Sequence, residues 1–155
     1  MRSASDGIDL DTAVGYRLKE AASAYHAAME RALRPSGLTI TQYATLEILA
    51  QRPGLSSAEL ARATFVTRQS MGAVLQALAG EGLIDRADEA PHGRALPVDL
   101  TAAGRERLRR ASTAVRSVED HMLAAIDPGQ TEPLRRSLDH ATRALRDYSP
   151  PGDED

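Results

Sequence analysis

The chain has 155 residues, a net charge of −3, no cysteine, no tryptophan and a single phenylalanine. That length supports one domain-sized core. The lack of cysteine excludes disulfides, thiolate metal sites and thiol redox sensing, and no apolar run approaches the roughly 18 residues that a membrane helix needs. The first six residues lack the apolar centre of a signal peptide, so a cytoplasmic protein that does not touch the membrane is expected. With so few aromatics the core must be built from Leu, Ala, Val, Ile and Met, a composition suited to helices.

Residues 1–9 carry no periodic pattern and are expected to be disordered. From Leu10 the apolar positions Leu10, Val14, Leu18, Ala21, Tyr25, Ala28 and Ala32 recur at near-heptad spacing, which predicts a helix of about 24 residues ending near Arg34-Pro35-Ser36-Gly37. Thr39-Ile40-Thr41-Gln42 is a capping box that opens a second helix containing Tyr43, Leu46, Ile48 and Leu49, and Arg52-Pro53-Gly54 ends it. Ser56-Ser57-Ala58-Glu59 is a second capping box, with Leu60 and Ala61 facing inward behind it. Thr64-Phe65-Val66 breaks the pattern, and Thr67 is a good N-cap for the next helix.

In that helix Met71, Val74, Leu75 and Leu78 form one apolar stripe, and Gly80 and Gly82 stop it. The opposite face carries Arg68, Gln69, Gly72, Ala73 and Gln76. Two helices joined by a tight turn, the second with a small polar outer face, form a helix-turn-helix pattern. Leu83-Ile84-Asp85-Arg86 and Leu96-Pro97-Val98-Asp99-Leu100 then read as two strands around the tip 88–94, a hairpin in the position of a wing.

Thr101 caps a long helix whose apolar positions Leu108, Ala111, Val115, Val118, Met122 and Ile126 make a coiled-coil-like seam, broken by Asp127-Pro128-Gly129. Thr131 caps a last helix with Pro133 in its first turn, and Leu134, Leu138, Ala141, Leu145 and Tyr148 repeat the seam. Residues 149–155 read as a disordered acidic tail. Three seams lie outside the winged segment. An intramolecular three-helix bundle would bury them, but the first and last helices lie at opposite ends of the chain, which favours a two-fold homodimer with interleaved termini.

No enzyme signature is present: no phosphate-binding Gly loop, no Gly-x-Ser-x-Gly, no His-Glu-x-x-His. The histidines at 26, 92, 121 and 140 contain no pair spaced for a metal, and Glu119-Asp120-His121 splay over about 200° of a helix. Neither a catalytic residue, a metal nor a cofactor is therefore expected. Charge is unevenly distributed. From Arg52 to Arg110 nine arginines face seven acids, a local +2 that leaves −5 elsewhere. Phosphate binding answers to local field, so the global negative charge does not exclude DNA.

The ordered set Leu38-Thr39…Gln42…Leu46…Leu49, Ser57…Glu59-Leu60-Ala61, Leu78…Gly82-Leu83-Ile84…Arg86 and Arg94…Val98…Leu100-Thr101…Gly104 resembles the multiple antibiotic resistance regulator (MarR) family. The resemblance covers roughly residues 10–148. It implies a mainly α fold with a small β wing. A winged helix-turn-helix DNA-binding domain spans 38–101, and a helical dimerisation region is formed by 8–37 and 102–148. It further implies a sequence-specific regulator of transcription, most often a ligand-released repressor, acting as a homodimer on an inverted repeat in double-stranded DNA. The residues that would meet DNA are Ser56, Thr67, Arg68, Gln69, Ser70, Gly72, Ala73 and Gln76, with His92 and Arg94 on the wing.

Arg68 can be bidentate to guanine, Gln69 or Gln76 to adenine, and the hydroxyls of Thr67 and Ser70 suit phosphate oxygens. Arg94 matches the arginine that the family inserts into the minor groove. Two departures bear on specificity: His92 stands where the family has an Asp, and Gly72-Ala73 stands where a Thr-Arg pair is common. A small organic effector is implied as well, with Tyr16, Tyr25, His26 and Tyr43 as candidate pocket residues. The same residues serve equally as core or interface positions with a satisfied polar tip. A different class of function, a winged-helix adaptor that binds another protein, stays open at this point.

Overall fold

The computed structural model describes residues 7–86 and 97–150. In chain order the elements are helix α1 (Val14–Leu33), α2 (Ile40–Gln51), α3 (Ser57–Thr64), α4 (Arg68–Gly80), strands β1 (Ile84–Arg86) and β2 (Val98–Leu100), then α5 (Ala102–Leu123) and α6 (Thr131–Arg146). This is the mainly α fold with a small β hairpin. The chain separates into two compact units, Met1–Arg116 and Ser117–Asp155.

Helix starts follow local hydrogen bonding. Both capping boxes form as the sequence predicts. Thr39 Oγ1 accepts from Gln42 N–H at 3.1 Å while Gln42 Oε1 accepts from Thr39 N–H at 2.9 Å. Ser56 Oγ accepts from Glu59 N–H at 3.3 Å while a Glu59 carboxylate oxygen accepts from Ser56 N–H at 2.8 Å. Thr67 Oγ1 caps α4 by accepting from Ser70 N–H at 3.1 Å, and Thr101 Oγ1 caps α5 by accepting from Gly104 N–H at 3.0 Å.

Three expectations at element ends need correction. The first helix starts at Val14, not Leu10, because Asp9 gathers the preceding backbone into a turn. Its carboxylate accepts from Asp11 N–H at 3.0 Å and its carbonyl from Ala13 N–H at 3.0 Å. Asp9 therefore also lies in ordered structure, at the end of the stretch expected to be disordered. Helix α5 ends at Leu123, short of Ile126, as Ala125 and Ile126 bond three residues back to Met122 and Leu123. Thr131 is not a cap but the first residue of α6, entered directly from a 3₁₀ turn, Pro128–Gln130, that the Asp127 carboxylate caps by accepting from Gly129 N–H at 3.0 Å.

In the first unit the core is aliphatic. Leu33 from α1, Leu46 from α2, Leu60 from α3 and Met71, Leu75 and Leu78 from α4 are fully enclosed. Val74, the fourth residue of the predicted α4 stripe, is half-buried. Burying such side chains contributes roughly 1.5–3 kcal/mol each, which holds α3 and α4 in one orientation. The strands pair antiparallel with Ile84 opposite Leu100 and Arg86 opposite Val98. Ile84, Val98 and Leu100 turn inward, so the base of the hairpin is part of the core. The Val98 N–H also bonds Leu55 O at 3.3 Å, tying the hairpin to the entrance of α3.

Gly104 lets α5 start against this base: a Cβ there would run into Leu83 O. Thr101 fastens the same junction, its N–H to Leu83 O at 3.1 Å and its hydroxyl to Gly82 O at 2.7 Å. In the second unit, α6 buries no residue within the chain, and Leu145 and Tyr148 are each 66% exposed.

Candidate nucleic-acid interface

Helix α4 divides into two faces. Met71, Leu75 and Leu78 anchor it from behind, while Arg68, Gln69, Ser70, Ala73 and Gln76 are exposed on the other side and Gly72 is half-exposed. The small residues Gly72 and Ala73 leave the middle of this face low enough for close approach to another surface, and nothing lies within 4 Å of where a Gly72 Cβ would stand. At the start of the helix the Thr67 hydroxyl, besides capping, donates to Ser70 Oγ at 3.0 Å. The Ser70 hydroxyl accepts there, which keeps its own proton for an outside acceptor such as a phosphate oxygen. The first-turn N–H groups point the same way and carry the positive end of the helix dipole.

Ser56, expected among the DNA-contacting residues, is half-buried, and its Oγ accepts the Glu59 N–H that caps α3. His92 and Arg94 lie outside the described residues.

The turn between α3 and α4 follows a Schellman pattern. Val66 N–H bonds Ala61 O at 3.0 Å and Phe65 N–H bonds Arg62 O at 3.3 Å. Phe65 takes the left-handed conformation this motif requires, at φ +59, and its side chain is 81% exposed. The end of α4 uses the same motif with glycine. There Leu83 N–H bonds Leu78 O at 2.9 Å, Gly82 N–H bonds Ala79 O at 2.9 Å, and Gly82 has φ +69.

Beyond this point α4 is braced by Arg107 of α5, whose guanidinium donates to Glu81 at 3.1 Å and to Ser36 O at 3.2 Å. One side chain thus links the end of α4, the corner after α1, and α5. The pair is partly exposed, so its value is positional more than energetic.

Arg107 also lines a cleft of about 570 Å³ with Arg34, Pro35, Ser36, Arg110 and Ala114 among its walls. The four residues proposed from sequence for a ligand pocket do not converge there. His26 lines a second, smaller cleft with Glu30, to which it lies 3.3 Å away. Tyr16 carries the Arg17 guanidinium 5.7 Å from its ring centre. Tyr43 sits half-buried, its hydroxyl within 3.4 Å of both Glu47 and Ser112. Burial chiefly pushes its phenol above the ordinary value, the Ser112 bond opposes this, and the charges of Glu47 and Tyr25 add to the rise.

Residues 36–95 match the sequence profile of the MarR family. A curated relative, the HTH-type transcriptional repressor Rv2887 of Mycobacterium tuberculosis, is 38% identical over 133 residues, which is 86% of this chain and 96% of the relative. This chain belongs to the MarR family. Solved structures of MarR proteins superpose on it closely. Rv2887 in complex with salicylic acid has a TM-score of 0.68 at 38% identity, covering 84% of this chain and 97% of that one. Rv2887 in complex with DNA has a TM-score of 0.70 at 37% identity, covering 84% and 98%. The repressor CouR bound to a 23-mer DNA duplex has a TM-score of 0.80 at 28% identity, covering 90% and 99%.

In MarR terms α3 and α4 are the helix-turn-helix and β1–β2 the base of the wing. Among the described residues, no helix is long and apolar enough to cross a membrane and no three His, Cys, Asp or Glu side chains gather where they could hold a metal. Sequence reasoning did not anticipate Phe65 as an exposed left-handed residue or Arg107 as a brace. Phe65 carried a faint signal, an aromatic in a turn between two capped helices. Arg107 carried none, because its partners lie 71 and 26 residues away in the chain.

Proposed function

We propose that this protein is a homodimeric transcriptional repressor, and not an enzyme, that binds an inverted repeat in double-stranded DNA and is released by a small organic effector in the cytoplasm. The observation that carries this reading is the α4 surface: a core-anchored helix with a low polar face led by Arg68 and Gln69, in a chain 38% identical to a named repressor. Arg68, Gln69 and Gln76 would read base edges, and Ser70, oriented by the Thr67 hydroxyl, would hold a phosphate. Ser56 would act through the cap. Arg94, with His92 nearby on the wing, would enter the adjacent minor groove.

Dimerisation is supported by apolar side chains that one chain leaves in solvent, among them Val14, Leu18, Leu134, Leu138, Leu145 and Tyr148. A monomer would keep all of that apolar surface wet. Effector binding is supported by the cleft that Arg34, Arg107 and Arg110 line and by the salicylic acid complex of Rv2887. Tyr16, Tyr25, His26 and Tyr43 remain candidates for ring contacts.

The test is binding to duplex DNA from the protein's own promoter region at several salt concentrations. Tight, steeply salt-dependent binding that salicylate weakens is expected, and Arg94→Ala should lower affinity tenfold or more with a salt slope smaller by about one. No preference for that DNA over an unrelated duplex would overturn the reading and favour a protein-binding adaptor.

A further inference from the structure

Four described residues adopt a left-handed backbone conformation: Gly37, Gly54, Gly82 and Phe65. Three are glycines, which enter that region without steric cost. The fourth is the only phenylalanine of the chain, and a bulky side chain there works against its own backbone. The two Schellman turns of the helix-turn-helix make the contrast internal, since the same hydrogen bonds are closed with glycine at Gly82 and with phenylalanine at Phe65. The motif's apolar contact is available to Val66, half-buried beside the buried Ala61, while Phe65 stays largely exposed. Local strain kept on an exposed residue points to use of its side chain.

Position says what that use is. Phe65 lies two residues before the α4 N-cap Thr67 and three before Arg68, within about 10 Å of chain from the turn that carries Arg68 and Gln69. With the start of α4 in the major groove, the residue just ahead of it stands at the groove's rim, beside the sugar–phosphate strand rather than over base edges. A phenyl ring has no charge to give a phosphate and no donor for a base. Its complement on that strand is the C–H face of a deoxyribose. We infer that Phe65 is a DNA-contacting residue, packing its ring on a backbone deoxyribose at the edge of each half-site. The inference rests on the reading of α4 as the groove helix.

Deoxyribose is present in every sequence and carries no counterion. The contact therefore has a signature unlike a base reader, which changes specificity, and unlike a phosphate contact, which changes the salt slope. Phe65→Gly should lower affinity for the promoter duplex and for an unrelated duplex by the same factor, roughly five- to thirtyfold, with the salt slope unchanged. The midpoint of thermal unfolding should hold or rise, because glycine removes the backbone conflict. Phe65→Tyr keeps the ring and should bind like wild type.

Equal affinity of wild type and Phe65→Gly for both duplexes would overturn the contact. So would a fall in unfolding temperature, which would make the ring a folding element, or loss of the dimer in sedimentation, which would put it in the subunit interface. Wild-type protein that ignores its promoter DNA would instead refute the groove-helix reading itself, before any variant is compared.

Discussion

Gly104→Ala should destabilise the protein, although the same substitution in most helices does the opposite. Gly104 lies in the first turn of α5 and its N–H is held by the Thr101 cap. In a free helix an added methyl gains about 1 kcal/mol from lower backbone entropy in the unfolded chain. Here the Cβ would run into Leu83 O, and Leu100 Cδ2 would lie 3.1 Å away. The carbonyl belongs to the base of the hairpin and cannot rotate aside, so α5 must shift outward by about an ångström. The shift stretches the 3.1 Å bond from Thr101 N–H to Leu83 O and the 2.7 Å bond from the Thr101 hydroxyl to Gly82 O.

Losing one of these costs about 1 kcal/mol, and overpacking adds about 1–3 kcal/mol. Against the helix gain the net loss is about 1–3 kcal/mol, or roughly 3–10 °C in thermal midpoint for a chain of this size. Urea unfolding followed by circular dichroism, at one protein concentration throughout, measures it. Gly72→Ala is the internal control. That glycine is mid-helix in α4 with open space where the Cβ would go, so the variant should be as stable as wild type or up to about 1 kcal/mol more. A Gly104→Ala midpoint at or above wild type would refute the close approach of α5 to the hairpin.

Gln69→Ala should relax preference at one base pair of each half-site by about 1–3 kcal/mol while sparing non-specific binding, whereas Arg68→Ala should cost affinity and specificity together. Binding-site selection with wild type and both variants checks this, with half-site centres expected about 10–11 base pairs apart, and identical base preferences would remove the two residues from readout. Glu59 accepts the Ser56 N–H, which holds its carboxyl below the ordinary value. A lowered folded-state pKa adds stability that is present above the unfolded value, about 4.3, and lost as pH falls through the folded one. The stability gap between wild type and Glu59→Gln should therefore be open at neutral pH and close as pH falls through the unfolded value and then the lower folded one, and a gap independent of pH would deny the charge a role in the cap. Ending the chain before Thr131 removes α6 and its exposed leucines. Sedimentation should then show loss of the dimer or aggregation, and a stable dimer would move the interface elsewhere.

The helices from α2 to α4 were legible in the chain alone, because the signals there are local. Each capping box spans four residues, the α4 stripe recurs every turn, and glycine at Gly82 marks a left-handed end. Such interactions act between neighbours and need no tertiary partner. The same locality explains the errors at element ends. Leu10 and Ile126 continue an apolar spacing, but Asp9 and Asp127 compete for the backbone nearby and claim it for turns.

Contacts between distant parts of the chain set the rest. Arg107 reaches across 71 residues to Ser36 and 26 to Glu81, and the steric need for glycine at Gly104 exists only once Leu83 O has been packed against α5. The exposure of Phe65 likewise depends on α3 and α4 being docked, since its φ is a consequence of closing that turn. Periodicity says which face of a helix is apolar. Which partner covers that face is set by long-range packing, whose pairings leave no regular spacing in the chain to read.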